Sequence, residues 1–179
     1  DARRLTLQDY FALARGNAQH PAMEMTKWFD TNYHYLVPEL DASSRFDGGS
    51  DWYFDLVREA LGRGRAVKPV LVGPLTFLRL SKSAQPGFDR LKFVDALAQA
   101  YARVLSRLKD LGVQWVQLDE PALATDLEPE WLAALDRAYA ALAGKGPRLL
   151  LATYFGGVSG HIARIAKLPV HGVHVDLVR

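Results

Sequence analysis

The chain has 179 residues, of which 49% are hydrophobic and 23% charged, and its formal net charge is +2. These proportions are typical of a soluble globular domain and lack the basic excess of a nucleic-acid-binding protein. No apolar run is long enough to cross a bilayer, so we expect no membrane partner. Without cysteine there is neither a disulfide nor a thiolate metal site, and the N-terminal residues lack the apolar core of a signal peptide. We therefore expect a cytoplasmic protein.

Hydrophobic periodicity predicts strands that alternate with helices. Thr6 is a candidate cap for the first helix, and the most regular helical pattern covers residues 88–111. In chain order we predict helix 5–15, strand 25–33, helix 50–61, strand 67–76, helix 88–111, strand 113–119, helix 129–142, strand 148–154, helix 159–165 and strand 173–177. Strands separated by helices pair in parallel. The nearly all-apolar segments 70–72 and 149–151 indicate strands buried on both faces.

Five predicted strands are too few for a closed eight-stranded barrel, which typically takes about 250 residues. The chain also begins without methionine and ends on a predicted strand. We therefore predict an α/β fold in which residues 1–179 form a single incomplete (β/α)8 TIM barrel of about five parallel strands. A truncated sheet has open edges, and we expect that the chain can self-associate through them.

A polar residue follows each predicted strand at the point where its apolar run stops. Parallel strands bring their carboxyl ends to one edge of the sheet, where ligands bind. The residues delivered there, strand by strand, are Asp30, Asn32 and His34, then Thr76, then Asp119 and Glu120, then Thr153 and Tyr154, and finally His174 and Asp176. We predict that these side chains converge on one ligand site.

Residues 23–35 combine four aromatic rings with Lys27, Asp30, Asn32 and His34. Ligand pockets are built in this way, from aromatic walls with a few placed polar groups. Beside Trp28, the ammonium of Lys27 would pair more strongly with a carboxylate-bearing ligand because the ring lowers the local dielectric. The alternative is an exposed lysine at the start of a strand.

Asp119 and Glu120 have the appearance of a catalytic carboxylate pair, but neighbouring residues of a strand point to opposite faces. Only one of them can face the ligand site, and the other interpretation is an acid that fixes a loop by accepting backbone amides. His34, Asp119, His174 and Asp176 supply nitrogen and oxygen ligands for a metal-assisted hydrolase or decarboxylase. No two histidines have the short spacing typical of such a site, so we assign no metal ligand and no catalytic residue. A non-catalytic binding module for an anionic ligand is a further alternative.

Five segments, in order, resemble the N-terminal domain of cobalamin-independent methionine synthase, the 5-methyltetrahydropteroyltriglutamate–homocysteine methyltransferase family. They are MEMTKWFDTNYHY with VPEL at 23–40, KPVLVGPLT at 68–76, WVQLDEPAL at 115–123, LATYF at 151–155 and LPVHGVHVDL at 168–177. The resemblance implies that this chain is the middle part of a barrel domain and lacks its first and last strands. The catalytic C-terminal barrel of the same chain is then a missing partner. The whole enzyme would make methionine from homocysteine and 5-methyltetrahydrofolate polyglutamate.

The resemblance also implies residue roles. Lys27 would contact the polyglutamate tail of the folate. The strand ends and the aromatic segment, independently of the resemblance, make further candidates for substrate binding of Trp28, Asp30, Asn32, His34, Asp119, His174 and Asp176. The other tail-binding basic residues of the family belong to an N-terminal segment that Arg3 and Arg4 do not match. Zinc is held by cysteines and a histidine of the C-terminal barrel, so no cofactor is expected here. The chain would contribute folate-tail docking and scaffold, and we expect it to be inactive alone.

Overall fold

The computed structural model describes residues 6–178, in which short strands alternate with helices. Arg3, Arg4 and the first residue of the helix predicted over 5–15 lie outside the described residues. The helices are α1 (Leu7–Arg15), α2 (Asp51–Gly62), α3 (Pro74–Leu80), α4 (Val94–Asp110), α5 (Pro129–Leu142) and α6 (Ile162–Ile165). The strands are β1 (Met25–Lys27), β2 (His34–Leu36), β3 (Glu39–Leu40), β4 (Val70–Val72), β5 (Lys82–Ser83), β6 (Trp115–Asp119), β7 (Arg148–Ala152) and β8 (Gly172–His174).

Most helices form where the periodicity predicts them. Thr6 caps α1 as expected: its hydroxyl accepts the Asp9 amide at 3.1 Å, and the Asp9 carboxylate accepts the Thr6 amide at 2.9 Å. Helices α2 and α5 match their predicted ranges to within one residue. The helix predicted over 88–111 begins later, because Arg90–Phe93 form a 3₁₀ turn before α4.

Four strands form one parallel sheet in the order β4-β6-β7-β8. Its register aligns Val72 with Asp119, Asp119 with Ala152, and Ala152 with His174, so the carboxyl ends of the strands lie side by side. Strands β3 and β5 make a separate parallel pair. The chain is therefore an α/β protein with parallel sheets.

The strand predicted over 25–33 is confirmed only for residues 25–27, and its place in the parallel sheet is wrong. Strands β1 and β2 pair antiparallel as a hairpin, and the residues between them form its turn. The Thr31 hydroxyl donates to the Trp28 carbonyl at 2.7 Å, and Phe29 adopts a positive φ of 53°. Side-chain bonds of this kind stabilise a turn against a strand. One of the five predicted strands is thus missing from the parallel sheet.

The strand predicted over 67–76 ends at Val72, and α3 begins at Pro74. Proline suits the first helical position because its φ is already helical and its missing N–H has no partner to lose there. Thr76 consequently lies in the first turn of α3 and not at a strand end. The last strand also ends early, at His174, which leaves Asp176 beyond it.

The helices cover one face of the parallel sheet. Val116, Leu118 and Leu151 of that face are fully buried in a core shared with α4 and α5. On the other face, Val70 and Val72 of β4 are 46% and 37% exposed, so the prediction that this strand is buried on both faces is wrong. Within residues 6–178 no helix has the length and apolar character needed to span a membrane.

Candidate functional site

Asp119 and Tyr154 meet at the carboxyl ends of β6 and β7. The Tyr154 hydroxyl donates to Asp119 Oδ2 at 3.0 Å, and the Gln117 amide donates to Asp119 Oδ1 at 2.7 Å. Gln117 in turn accepts from the Lys68 ammonium. Both carboxylate oxygens therefore accept a hydrogen bond, one from β6 and one from the segment that follows β7.

The turn of the hairpin lies against this pair. The indole of Trp28 lies near enough to the Tyr154 hydroxyl to affect its pKa. The Phe29 ring packs on Phe155 with 5.6 Å between centroids, and Tyr154 and Phe155 pack edge to face at 4.6 Å. Trp28 also packs edge to face on Tyr35 at 5.6 Å. The aromatic rings of the hairpin and of the segment after β7 therefore pack against one another.

The environment of Tyr154 keeps its hydroxyl protonated. Burial, and then the negative charge of Asp119, raise the pKa of Tyr154 well above its usual value, while the Trp28 indole has an opposing effect. The hydroxyl is therefore a donor to Asp119 across the physiological pH range.

Glu120 points to the opposite side of the strand and is fully buried. Its carboxyl accepts the backbone amides of Leu75 at 3.1 Å and Thr76 at 2.7 Å, together with the Tyr139 hydroxyl at 3.2 Å. Burial raises the pKa of Glu120 to about 7, and the hydrogen bonds from Thr76, Leu75 and Tyr139 lower it in part. This is the loop-fixing acid of the second interpretation, because the carboxyl joins the end of β6 to the start of α3 and is closed to a ligand.

The predicted convergence holds for only part of the set. Of that set, Asp119 and Tyr154 are joined by a hydrogen bond between their side chains, with Trp28 of the hairpin beside them, whereas Thr76 and Thr153 are fully buried and unavailable to a ligand. The remaining candidates lie at the surface or beyond the last strand. Lys27 and His34 are exposed cross-strand partners in the hairpin, Asp30 and Asn32 are exposed in its turn, His174 is exposed at the end of β8, and Asp176 is partly buried past that strand.

Phe155 and Tyr139 were not singled out by the sequence analysis. Phe155 adopts a positive φ of 72°, which is unusual for a bulky residue and is found where tertiary contacts enforce it. The adjacent residues Tyr154 and Phe155 after β7 could have indicated a packing contact, since two neighbouring aromatic rings that follow a buried strand are expected to pack against another segment. Tyr139 had no signal, because it lies on the apolar face of α5 like any core residue.

The candidate metal ligands His34, Asp119, His174 and Asp176 do not assemble into a metal site. In the part of the chain that the structure describes, no three His, Asp or Glu side chains gather as potential ligands. His171 accepts the Leu149 amide through Nδ1 at 3.1 Å. Nδ1 of His174 lies 3.2 Å from the Thr153 carbonyl, so the two rings interact with different parts of the backbone. Nothing in this arrangement favours a metal-assisted hydrolase, and the residues do not fit the zinc that the resemblance implies for the whole enzyme.

The chain also matches a known protein family. Residues 1–179 match the family described as "Cobalamin-independent synthase, N-terminal domain". Relatives named 5-methyltetrahydropteroyltriglutamate--homocysteine methyltransferase from Paraburkholderia phytofirmans and Paraburkholderia xenovorans are 58% and 56% identical over all 179 residues. The chain spans 23% of the length of each.

Two solved structures share the fold. The putative vitamin-B12 independent methionine synthase of Listeria monocytogenes aligns with a TM-score of 0.56 and 19% identity, over 75% of this chain and 46% of that one. A methyltransferase from Methanosarcina mazei aligns with a TM-score of 0.55 and 12% identity, over 84% of this chain and 52% of that one. At such low identity the likeness concerns the fold alone.

Proposed function

Because the chain belongs to the cobalamin-independent synthase family, whose N-terminal domain it matches throughout, we propose that it is part of a methyltransferase that makes methionine. The proposed substrates are homocysteine and a 5-methyltetrahydrofolate polyglutamate, in keeping with the names of its relatives. Since the chain spans 23% of those relatives, its proposed partner is the remainder of the same protein, including a C-terminal barrel.

We assign this segment the docking of the folate tail. The observation that carries the assignment is the position of the hairpin, which is held by Trp28 and Phe29 at the ends of β6 and β7 and presents Lys27 to solvent. A polyglutamate tail carries one carboxylate for each added residue, and an exposed ammonium beside a fixed hairpin turn is suited to pair with it. Such a pair is screened by water, so we expect a contribution of about 1 kcal/mol or less.

The proposed fold of the whole domain is a (β/α)8 barrel. Four parallel strands carry helices on one face only, which is the arrangement of a barrel wall; an open doubly wound sheet has helices on both faces. The exposed face that includes Val70 and Val72 would then line the interior of the barrel and be closed by strands outside this chain.

Methyl transfer sets requirements that this segment does not meet. The sulfur of homocysteine attacks the methyl carbon, the bond from that carbon to the folate nitrogen breaks, and the nitrogen takes up a proton. The sulfur must react as a thiolate, which a bound metal provides in many enzymes. The chain has no cysteine, and residues 6–178 bring no set of three potential ligands together. We therefore expect the isolated chain to show no turnover in a zinc-supplemented methyl-transfer assay, and measurable turnover would contradict the scaffold role.

Calorimetric titration tests the docking role directly. Tetrahydrofolates with one, three and five glutamates should bind with increasing affinity, and Lys27→Ala should reduce the total gain between the shortest and the longest tail by about two- to fivefold. Lys109→Ala is the matched control, because Lys109 is exposed at the end of α4, on the side of the sheet where the strands begin. If Lys27→Ala leaves both the affinity and its dependence on tail length unchanged, Lys27 does not dock the tail.

A further inference from the structure

Tyr154 connects two elements that are distant in sequence. Its hydroxyl donates to Asp119 at the end of β6, and its ring packs edge to face on Phe155, which contacts Phe29 of the hairpin turn. Tyr154 itself follows β7, so a single phenol links the sheet and the hairpin.

The hairpin needs such a link because, within residues 6–178, it is not part of any larger sheet. Among these residues, β1 and β2 pair only with each other, over three residues each. A two-stranded hairpin of that length is at best marginally stable by itself. Its position over the strand ends must therefore come from side-chain contacts.

Contacts from two regions hold the hairpin. Near its open end, Lys82 pairs with Glu24, and the Tyr35 hydroxyl donates to the Leu80 carbonyl at 3.2 Å. At its turn, the contacts are those of Trp28 with Tyr154 and of Phe29 with Phe155. Lys27 lies next to the turn, so its location depends on the second set.

Two observations indicate that the turn contacts are specific. Phe29 and Phe155, which pack on each other, both adopt positive φ, at 53° and 72°. A bulky residue adopts this conformation only where surrounding contacts compensate its strain. The second is that Asp119 engages Tyr154 through a charge-assisted hydrogen bond, which is stronger than one between neutral groups.

We propose that Asp119 and Tyr154 form an anchor that holds the hairpin turn over the strand ends, which makes Tyr154 a positioning residue for Lys27. The anchoring follows from contacts within the chain. Its consequence for ligand binding rests on the proposed function, since it requires Lys27 to meet the folate tail.

Hydrogen exchange of the whole chain, followed by mass spectrometry, tests the anchor without any ligand. Tyr154→Phe keeps the ring contact with Phe155 and removes the hydroxyl. Amides of residues 25–36 should then exchange about tenfold faster, while those of β6 and β7 and the thermal midpoint stay unchanged. Tyr33→Phe is the control, because it makes the same chemical change at an exposed position in the same hairpin.

Trp28→Phe supplies a second variant in case Tyr154→Phe alters folding. It should loosen the same amides, because it removes the indole that packs on Phe29 and Tyr35 and lies beside Tyr154. Exchange at the wild-type rate in Tyr154→Phe and in Trp28→Phe would overturn the anchor, whatever the folate affinity.

Binding of the folates of increasing tail length separates the anchor from the proposed function. If Tyr154→Phe loosens the hairpin and weakens the dependence on tail length as Lys27→Ala does, both proposals are supported. If the hairpin loosens but neither variant alters folate binding, the anchor stands and the docking role of Lys27 is wrong.

Discussion

Gly73 leaves the space that the side chain of Glu120 occupies. A Cβ atom at Gly73 would lie 2.1 Å from Cδ and 2.2 Å from Oε1 of the glutamate. The absence of a side chain at Gly73 lets a carboxyl from the end of β6 reach the first amides of α3. The Gly-Pro pair thus has two functions: the proline begins the helix, and the glycine admits the acid that caps it.

Gly73→Ala should destabilise the protein strongly. The added methyl group collides with a buried carboxyl that cannot move without losing its hydrogen bonds, so we expect the free energy of unfolding to fall by about 2 kcal/mol or more. Urea denaturation followed by circular dichroism measures the change. Gly62→Ala is the matched control, since no atom lies within 4 Å of its added Cβ, and its effect should stay within about 0.5 kcal/mol. Equal stability of the two variants would contradict the steric argument.

The buried carboxyl of Glu120 should make stability depend on pH. Its pKa is about 7 in the folded protein, against an ordinary value of 4.5, so the folded state binds the proton more tightly than the unfolded state does. The resulting stabilisation is complete below about pH 4.5 and is lost as the pH rises to about 7, by at most about 3 kcal/mol. Denaturation curves at intervals from pH 4.5 to 8 measure it.

Glu120→Gln identifies the group responsible. The variant cannot titrate at this position, so its stability should fall less than that of the wild type between pH 4.5 and 7. The difference between the two proteins should therefore shrink as the pH rises. Glu130→Gln, which changes an exposed residue in the first turn of α5, should retain the wild-type slope. A wild-type slope in Glu120→Gln would show that another group titrates.

Tyr139→Phe should cost about 1–2 kcal/mol of unfolding free energy. The Tyr139 hydroxyl is fully buried and donates to Glu120 Oε1 at 3.2 Å, and burial together with the charge of Glu120 raises the pKa of Tyr139, so that it remains a donor. Urea denaturation at pH 8, where Glu120 is ionised, is the measurement. Tyr10→Phe, at a residue that is 59% exposed, should be neutral. A neutral Tyr139→Phe would mean that the hydrogen bond adds nothing to stability.

Thr6→Ala should act locally. The change removes a capping box, which is worth about 1 kcal/mol to a helix, but α1 has no buried residue and so shares little of its stability with the core. Amides of α1 should therefore exchange faster while the thermal midpoint stays where it was. A large drop in the midpoint would show that α1 is coupled to the core after all.

Much of the fold could be predicted because its helices follow from local patterns. In helices α2 and α5 the apolar residues recur every three or four positions. A serine before α2 and a proline at the start of α5 mark where each helix begins, and both can be recognised from the neighbouring residues alone. The strands β6 and β7 were recognisable as short apolar runs between helices, so their parallel pairing followed.

The site was harder to predict because its parts are brought together by distant contacts. The aromatic segment of the hairpin has the composition of a strand, but the contact of Phe29 with Phe155 and the bond from Thr31 to the Trp28 carbonyl favour a turn in which Phe29 has a positive φ. The pair Asp119 and Glu120 was recognised as polar, and strand geometry placed them on opposite faces. Which acid would be buried depended on the space at Gly73, which belongs to another strand–helix junction.

The amino-acid sequence by itself determined the family, the α/β class and the residues that could bear charge at the strand ends. Family and class are readable because motifs and apolar periods are properties of neighbouring residues. Tertiary structure alone decided that Tyr154 bonds Asp119 beside the hairpin turn and that Glu120 caps a helix and does not bind a ligand. Those outcomes depend on packing between segments far apart in the chain, where a distance of a few ångströms decides which partner a polar group finds.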